Sequence, residues 1–426
     1  MVEWRLHKRG ERRFRQGHPW VFSNELVHPP AGIVPGAPVD LCDARGAFLA
    51  CGYGNPHSLI AFRQMTRDRT QPVDLPLVRE RLRQASHFRR RLGYHATSHR
   101  VVFAEGDLLP GLIIDRYVNA AGQVFVAELS TAGMERLVGE TLPTLLHELA
   151  DWEVAQGGAP FSRDATTVVV RREGAFRALE GLAGQPAHVV GPLASEALSA
   201  YPARVASGQG SLTLIVDLFA GQKTGLFLDQ RENIAHLLRL LQARRSSVGE
   251  EFRVLDLFAY VGQWSAHVAQ LLEARSGVTA TLADASAAAL ATAATNVSAC
   301  GARSHPVQLD LLQPWPKALG FAYDLVVCDP PALIKNRRDI AAGYRAYVKC
   351  NAWAMQRLRP GGLFVTCSCS HHLSHDAFRE AVTAAMHKAK VSLQWVYCGS
   401  QAADHPRRLE FPEGEYLQCS IGERQP

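Results

Sequence analysis

The chain lacks any run of about 18 apolar residues, so no membrane-spanning helix is expected in its 426 residues. Its opening stretch, Met1–Trp20, is charged where a secretory leader would need an apolar segment. Cysteine is sparse and odd in number: nine residues, seven of them after position 299. That pattern offers no disulfide framework and fits free thiols in a reducing cytoplasm, the expected location. Cys367-Ser-Cys369 does not have zinc-ligand spacing and no second cysteine pair accompanies it, so no metal is expected. Neither Gly-x-Gly-x-x-Gly nor Gly-x-x-x-x-Gly-Lys-[Ser/Thr] occurs, which argues against a dehydrogenase and a phosphate-loop enzyme. The 47% hydrophobic content excludes wholesale disorder, and the net charge of +6 is compatible with a polyanionic partner without requiring one.

Length alone predicts two or three domains. Residues 1–72 read as a small β module. Arg5, Lys8, Arg9, Arg12, Arg13 and Arg15 precede His18-Pro19-Trp20, and short strands with tight turns follow. Arg9, Arg13 and Trp20 suit RNA, where arginines take phosphates and rings stack on bases; a solvated charged face with Trp20 in the core is the alternative. Residues 73–190 read as a central α+β domain. It starts with an arginine-rich helix (Arg79 to Arg91) and carries one helix over Met134–Leu149. From 205 to 426, a strand over Leu212–Phe219 is followed by strands and helices in alternation, the rhythm of a parallel sheet covered on both faces. The last two strands lie close enough in sequence for an antiparallel finish.

Arg253–Gln270 is the organising stretch: an apolar strand with Asp256 inside it, a turn at Gly262, then a helix. Open α/β sheets bind ligands over such strand ends. Asp284, Asp310 and Asp329 each follow a later strand, so a nucleoside-type cofactor is expected at that sheet edge. Two prolines stiffen the segment after Asp329, and Lys335, Arg337 and Arg338 beyond it could meet phosphate. Cys367 and Cys369 end the fifth strand on one side of it, where a thiolate is nucleophilic, unless both are inert buried thiols. Lys223 and Arg231 bracket Gly225 in a polar segment that reads as a capped helix start or as a contact for an acidic ligand group.

Taken together, several motifs carry a resemblance. They are His18-Pro-Trp-Val-Phe-Ser23, Leu109-Pro-Gly-Leu-Ile-Ile-Asp115-Arg-Tyr117 and Gln222-Lys-Thr-Gly-Leu-Phe-Leu-Asp-Gln-Arg231. Asp329-Pro-Pro331, Cys367-Ser-Cys369-Ser370, Asp404-His-Pro406 and Phe411-Pro-Glu-Gly-Glu-Tyr416 complete the set. The chain resembles, along nearly its whole length, the bacterial S-adenosylmethionine-dependent 23S ribosomal RNA cytosine-C5 methyltransferases with an N-terminal PUA domain.

The resemblance implies an α/β fold: a seven-stranded, Rossmann-like class I methyltransferase sheet, preceded by the PUA domain and a central α+β domain. It implies S-adenosyl-L-methionine as cofactor. Lys223, Phe227, Asp229 and Arg231 would bind it from outside the main sheet. Asp256, Phe258 and Gly262 would line its methionine side, Asp284 its ribose and Asp310 its adenine. Cys369 falls at the position of the nucleophile, with Cys367 second, and Asp329 would hold the base edge.

The implied partner is 23S ribosomal RNA or a large-subunit assembly intermediate, with no membrane; the oligomeric state stays open, a homodimer included. Two departures stand out: the first loop is reduced to Ala259-Tyr-Val-Gly262, and Trp264 stands where a smaller residue is common. Pro331 fills the place of a second cysteine that relatives use for product release. The rivals are a guanine-N7 methyltransferase, which needs no cysteine, and an inactive RNA-binding ribosome assembly factor.

Overall fold

The computed structural model describes residues 2–30, 32–158, 160–207, 210–244, 249–273, 277–310, 319–320 and 322–426. It divides into two compact units. The first comprises Met1–Ala203, Asp217–Leu226 and Ala403–Gly414; the second comprises Arg204–Val216, Phe227–Ala402 and Glu415–Pro426. The predicted 1–72 and 73–190 segments thus share one unit, and two short pieces of the predicted third segment join them.

In the first unit, β1 (Val2–Arg5), α1 (Lys8–Arg15), β2 (Trp20–Phe22), β3 (Ala37–Cys42), β4 (Phe48–Gly54) and β5 (Ile60–Thr66) build the N-terminal module. Its sheet runs β1-β3-β4-β5-β2. Alternation places Trp4, Leu6, Val21, Val39, Leu41 and Phe62 in one apolar cluster. The β3–β4 turn forms because the Asp43 carboxylate accepts from the Arg45 and Ala47 amides at 2.9 Å each.

Next come α2 (Leu75–Arg91), β6 (His99–Phe103), β7 (Leu112–Val118), β8 (Gln123–Leu129), α3 (Ala132–Val138), α4 (Leu142–Ala155), β9 (Thr166–Arg172), α5 (Ala175–Leu179), β10 (Gln185–Val190) and α6 (Ser195–Ser199). This sheet runs β10-β9-β8-β7-β6. Where one helix was expected over Met134–Leu149 there are two. Gly139 caps α3, and Pro143 is accommodated in the first turn of α4, where its missing N–H costs nothing.

The expected arginine-rich helix is α2, and two of its arginines point inward. Arg81 donates to the carbonyls of Met65 and Leu108. Arg89 donates to the Arg100 and Asp404 carbonyls at 2.9 and 2.6 Å and pairs with Asp107. The two sheets of this unit are joined by a polar seam. Arg63 meets Glu180 at 2.9 Å, Asn55 donates to Glu180, and the Tyr53 hydroxyl donates to the Pro110 carbonyl at 2.6 Å.

β11 (Tyr201–Ser207) and β12 (Gly210–Val216) form a two-stranded sheet. β12 stops short of the expected Phe219 because Asp217 turns the chain, accepting from the Phe219 and Ala220 amides at 2.9 and 2.8 Å.

The second unit continues with α7 (Arg231–Ala243), β13 (Glu251–Leu257), α8 (Gln263–Leu272), β14 (Gly277–Asp284), α9 (Ala287–Ala299), β15 (Arg303–Gln308), β16 (Tyr323–Cys328), α10 (Ile340–Met355), β17 (Leu358–Ser368), α11 (His375–Ala389), β18 (Leu393–Gly399) and β19 (Gln418–Arg424). Its seven strands run β15-β14-β13-β16-β17-β19-β18. β13 to β17 are parallel, and β19 is antiparallel to both neighbours. Strand order reverses between β13 and β16, which opens the crevice where such sheets bind ligands. No helix among the described residues is long and apolar enough to cross a membrane.

Candidate functional site

At the end of β13 the backbone is forced into an unusual turn. Phe258, Tyr260 and Gly262 have φ of +62°, +48° and +74°. Only glycine takes this region without strain, so two side-chain-bearing residues held there mark a functional turn. Gly262 begins α8, and a Cβ on it would lie 3.0 Å from Val297 and 3.2 Å from Ala293. The turn is tied down by Asp284, the last residue of β14, which accepts from the Tyr260 amide at 3.0 Å and the Ser286 amide at 2.9 Å. Phe227 meets Tyr260 edge-on, with centroids 5.4 Å apart.

Asp256 lies beneath this turn and is only 1% exposed. Its Oδ2 accepts from the Ser265 hydroxyl at 2.7 Å, whereas Oδ1 is buried with no partner. Burial pushes its pKa up to about 7, Ser265 opposes the rise, and the charges of Asp329 and Asp284 add to it. An orphaned carboxylate oxygen under a strained turn suits a cationic ligand group. Because the folded-state pKa is raised, the contribution of Asp256 to stability is most favourable in acid and is lost as pH climbs from the ordinary carboxylate value toward about 7. Asp256→Asn abolishes this fall, so its advantage over the wild type grows between pH 5 and pH 8, to roughly 4 kcal/mol. Thermal unfolding across that range checks it; an offset independent of pH would refute the assignment.

Asp329 follows β16. Its Oδ2 accepts from the Gln230 amide at 2.9 Å and from the Trp264 indole N–H at 3.2 Å. Gln230 lies inside the Gln222–Arg231 motif, but as a neutral amide between two charged residues it drew no site role from the sequence. Trp264 was visible only as an oversized residue, and its value lies in the ring N–H rather than its bulk.

Cys369 sits one residue beyond β17, half-buried, its sulfur 3.8 Å from the Pro330 carbonyl. Cys367 differs sharply. It is fully buried opposite Cys419 of β19, and burial with that neighbouring thiol raises its pKa well above the ordinary value. The structure thus separates the two cysteines that strand alternation had left equivalent. A hydroxyl cluster braces the tip: the Tyr347 hydroxyl lies 2.9 Å from both Ser368 and Ser370, and Ser370 accepts from the Ile334 amide.

The other expected site residues fall in varied settings. Asp229 is buried and accepts from the Tyr416 hydroxyl at 2.5 Å, and Arg231 opens α7 half-buried. Asp310 is exposed just past β15, beside residues 311–318, which lie outside the described residues. Lys223 belongs to the first unit, exposed, with φ +49°. Among the RNA candidates, Arg9 and Lys335 are exposed, whereas Arg13 pairs with Glu25 at 2.8 Å. Trp20 is no open stacking platform. Its N–H donates to Glu105 at 2.7 Å, Arg63 lies over its ring, and Phe411 meets it at 4.7 Å. Among the described residues no cluster of three or more metal-ligating side chains occurs.

Residues 5–67 match the family model of the PUA-like domain, and residues 222–397 that of the methyltransferase small domain. A Salmonella arizonae protein named ribosomal RNA large subunit methyltransferase I is 32% identical over 421 residues, spanning 97% of this chain and 95% of its own length. A Shewanella denitrificans protein of the same name is 32% identical over 417 residues, spanning 96% of each. A solved chain from Streptococcus mutans, described as a SAM-dependent methyltransferase, aligns over 99% of this chain and 100% of its own, with a TM-score of 0.72 at 15% identity. A solved methyltransferase complexed with SAH aligns over the same shares, with a TM-score of 0.72 at 16% identity. Those two likenesses establish the fold, a class I methyltransferase fold behind an N-terminal PUA-like domain. With the full-length identities, they show that the chain belongs to the ribosomal RNA large subunit methyltransferase I family.

Proposed function

We propose that the chain is an S-adenosylmethionine-dependent methyltransferase that forms 5-methylcytosine in 23S ribosomal RNA, with Cys369 as the nucleophile. The observation that carries the reading is the half-buried Cys369 sulfur on the Pro330 carbonyl, next to an Asp329 carboxylate already fixed by two N–H donors. The relatives' shared name and the PUA-like segment support a ribosomal RNA substrate.

When bound, S-adenosylmethionine supplies a methyl group activated on a sulfonium. Asp256, the Phe258–Gly262 turn, Phe227 and Asp284 fit its holding, since an orphaned acid lies below a turn with no room for a Cβ at Gly262. Lys223, Asp229, Arg231 and Asp310 are the other residues that the resemblance assigns to the cofactor. Cytosine C5 is a weak nucleophile. The Cys369 thiolate adds to C6, C5 becomes enamine-like and takes the methyl, a base removes the C5 proton, and elimination frees the thiolate. Asp329 holds the base edge throughout. Pro331 leaves no second cysteine for release, so another base or water removes the proton. The target base leaves its stack to reach the crevice.

Mapping modified bases in ribosomal RNA from cells with and without this protein tests the reading. Loss of one 5-methylcytosine from 23S RNA is expected. Loss of a 7-methylguanine would transfer the chain to the guanine-N7 rival, and an unchanged map would leave an assembly factor.

A further inference from the structure

We infer that Gln230, Asn233 and Trp264 are positioning residues that hold Asp329 as a pure hydrogen-bond acceptor and thereby select a base edge bearing an amino group. The inference rests on the reading of Asp329 as the acid facing the base. Its observation is a directional relay. The Ser400 carbonyl can only accept, and it takes one N–H of the Asn233 side chain at 3.2 Å. The Asn233 amide therefore has its nitrogen on the side from which it also donates to Gln230 Oε1, at 2.7 Å. Its oxygen then accepts from the Tyr397 hydroxyl at 3.0 Å. With Oε1 so engaged, Gln230 turns its own N–H to Asp329 Oδ2 at 2.9 Å, where Trp264 adds a second N–H at 3.2 Å.

Each link leaves one amide orientation. A carbonyl of the main chain thus dictates, through two side chains, that Gln230 meets Asp329 Oδ2 with an N–H. Asn233 is fully buried and Gln230 is 2% exposed, so water does not loosen the sequence of bonds. Close approach of the backbone allows it: a Cβ on Gly399 would lie 2.3 Å from Asn233 Oδ1. Tyr397 is held in turn by stacking on His236, with centroids 3.9 Å apart.

Two N–H donors converging on Oδ2 stabilise its negative charge, so the relay favours the carboxylate. A carboxylate accepts from the exocyclic amine of cytosine and repels the O4 carbonyl of uracil. The relay is therefore a device for discriminating bases that does not itself touch the base.

The test uses the full chain, large-subunit RNA from cells lacking it, and S-adenosylmethionine. Asn233→Asp takes the donor away from Gln230 Oε1, so the Gln230 amide rotates and points oxygen at Asp329. The turnover number should fall about 10- to 100-fold while KM for RNA and the cofactor dissociation constant stay within about twofold. In a Gln230→Leu background, Asn233→Asp should add less than about twofold, because the relay is already cut. Wild-type turnover in Asn233→Asp, or full additivity of the two changes, overturns the inference. Trp264→Phe, which removes the N–H together with part of the buried ring, should lower turnover about tenfold with cofactor binding kept. Should Asn233→Asp not fold, wild-type turnover in both Trp264→Phe and Gln230→Leu overturns the inference equally. A wild-type protein that makes no 5-methylcytosine would instead defeat the underlying reading.

Discussion

Cys369→Ala eliminates methyl transfer, lowering turnover by more than about 10⁴-fold, while S-adenosylmethionine binds as in the wild type. On the proposed mechanism, C5 of cytosine becomes nucleophilic only once the sulfur has added to C6. Cys367→Ala is the contrasting variant. Its thiol is buried against Cys419, with a pKa well above the ordinary value, so the alanine form keeps turnover within about tenfold of wild type and loses stability on the order of 1 kcal/mol. Methyl incorporation from labelled cofactor, with a cofactor titration beside it, separates the two. RNA carrying 5-fluorocytosine adds a positive control, because fluorine at C5 cannot leave as a proton and the adduct on Cys369 is trapped. Normal methylation by Cys369→Ala would end the assignment, and so would a reversed pattern between the two cysteines.

Asp115→Ala destabilises the first unit by about 3–5 kcal/mol. Asp115 is fully buried and receives both nitrogens of the Arg100 fork at 2.7 Å, together with the Thr224 hydroxyl. Removing it strands a guanidinium that is 6% exposed, and a buried charge without its partner costs far more than the pair contributed. Asp115→Asn retains the shape and an acceptor, so its loss is smaller. Denaturant unfolding of the full chain, monitored at a probe within the first unit, reads both. A loss under about 1 kcal/mol for the alanine variant would show that water compensates Arg100, contrary to its burial.

Most of the parallel sheet was legible in the sequence, because five apolar segments alternate with helical ones and the second, third and fourth are each followed by an aspartate. Asp256, Gly262, Asp284 and Asp329 were legible for the same reason: strand ends are where such sheets collect ligand groups. What could not be read is the partner of each polar group. Arg81 and Arg89 look like a basic surface in one dimension, and only the fold brings the carbonyls of Leu108 and Asp404 to them. Trp20 looks available to RNA until Arg63, Glu105 and Phe411 are seen around it. Cys367 and Cys369 differ because β19 covers one and ends before the other, and that pairing is a long-range event. Gln230 lay within a motif but its role was hidden, since a single neutral amide matters only through what it faces.

The motifs that mark the family prove to be largely each other's partners. His18 meets Glu413 at 3.0 Å, Asp115 and Tyr117 meet Thr224, and Asp404 receives the Arg100 amide. In each case one partner comes from the segments Asp217–Leu226 or Ala403–Gly414, which join the first unit after long excursions of chain. That unit therefore has no complete set of bonds while the polypeptide is being made. At synthesis rates of about 5–20 residues per second, roughly 10–40 s pass between the emergence of Ala203 and that of Ala403. During that interval the Arg89 side chain and the Arg100 amide lack their later partner Asp404, and His18 lacks Glu413. The order of translation thus delays the first unit until Cys369 has already been made.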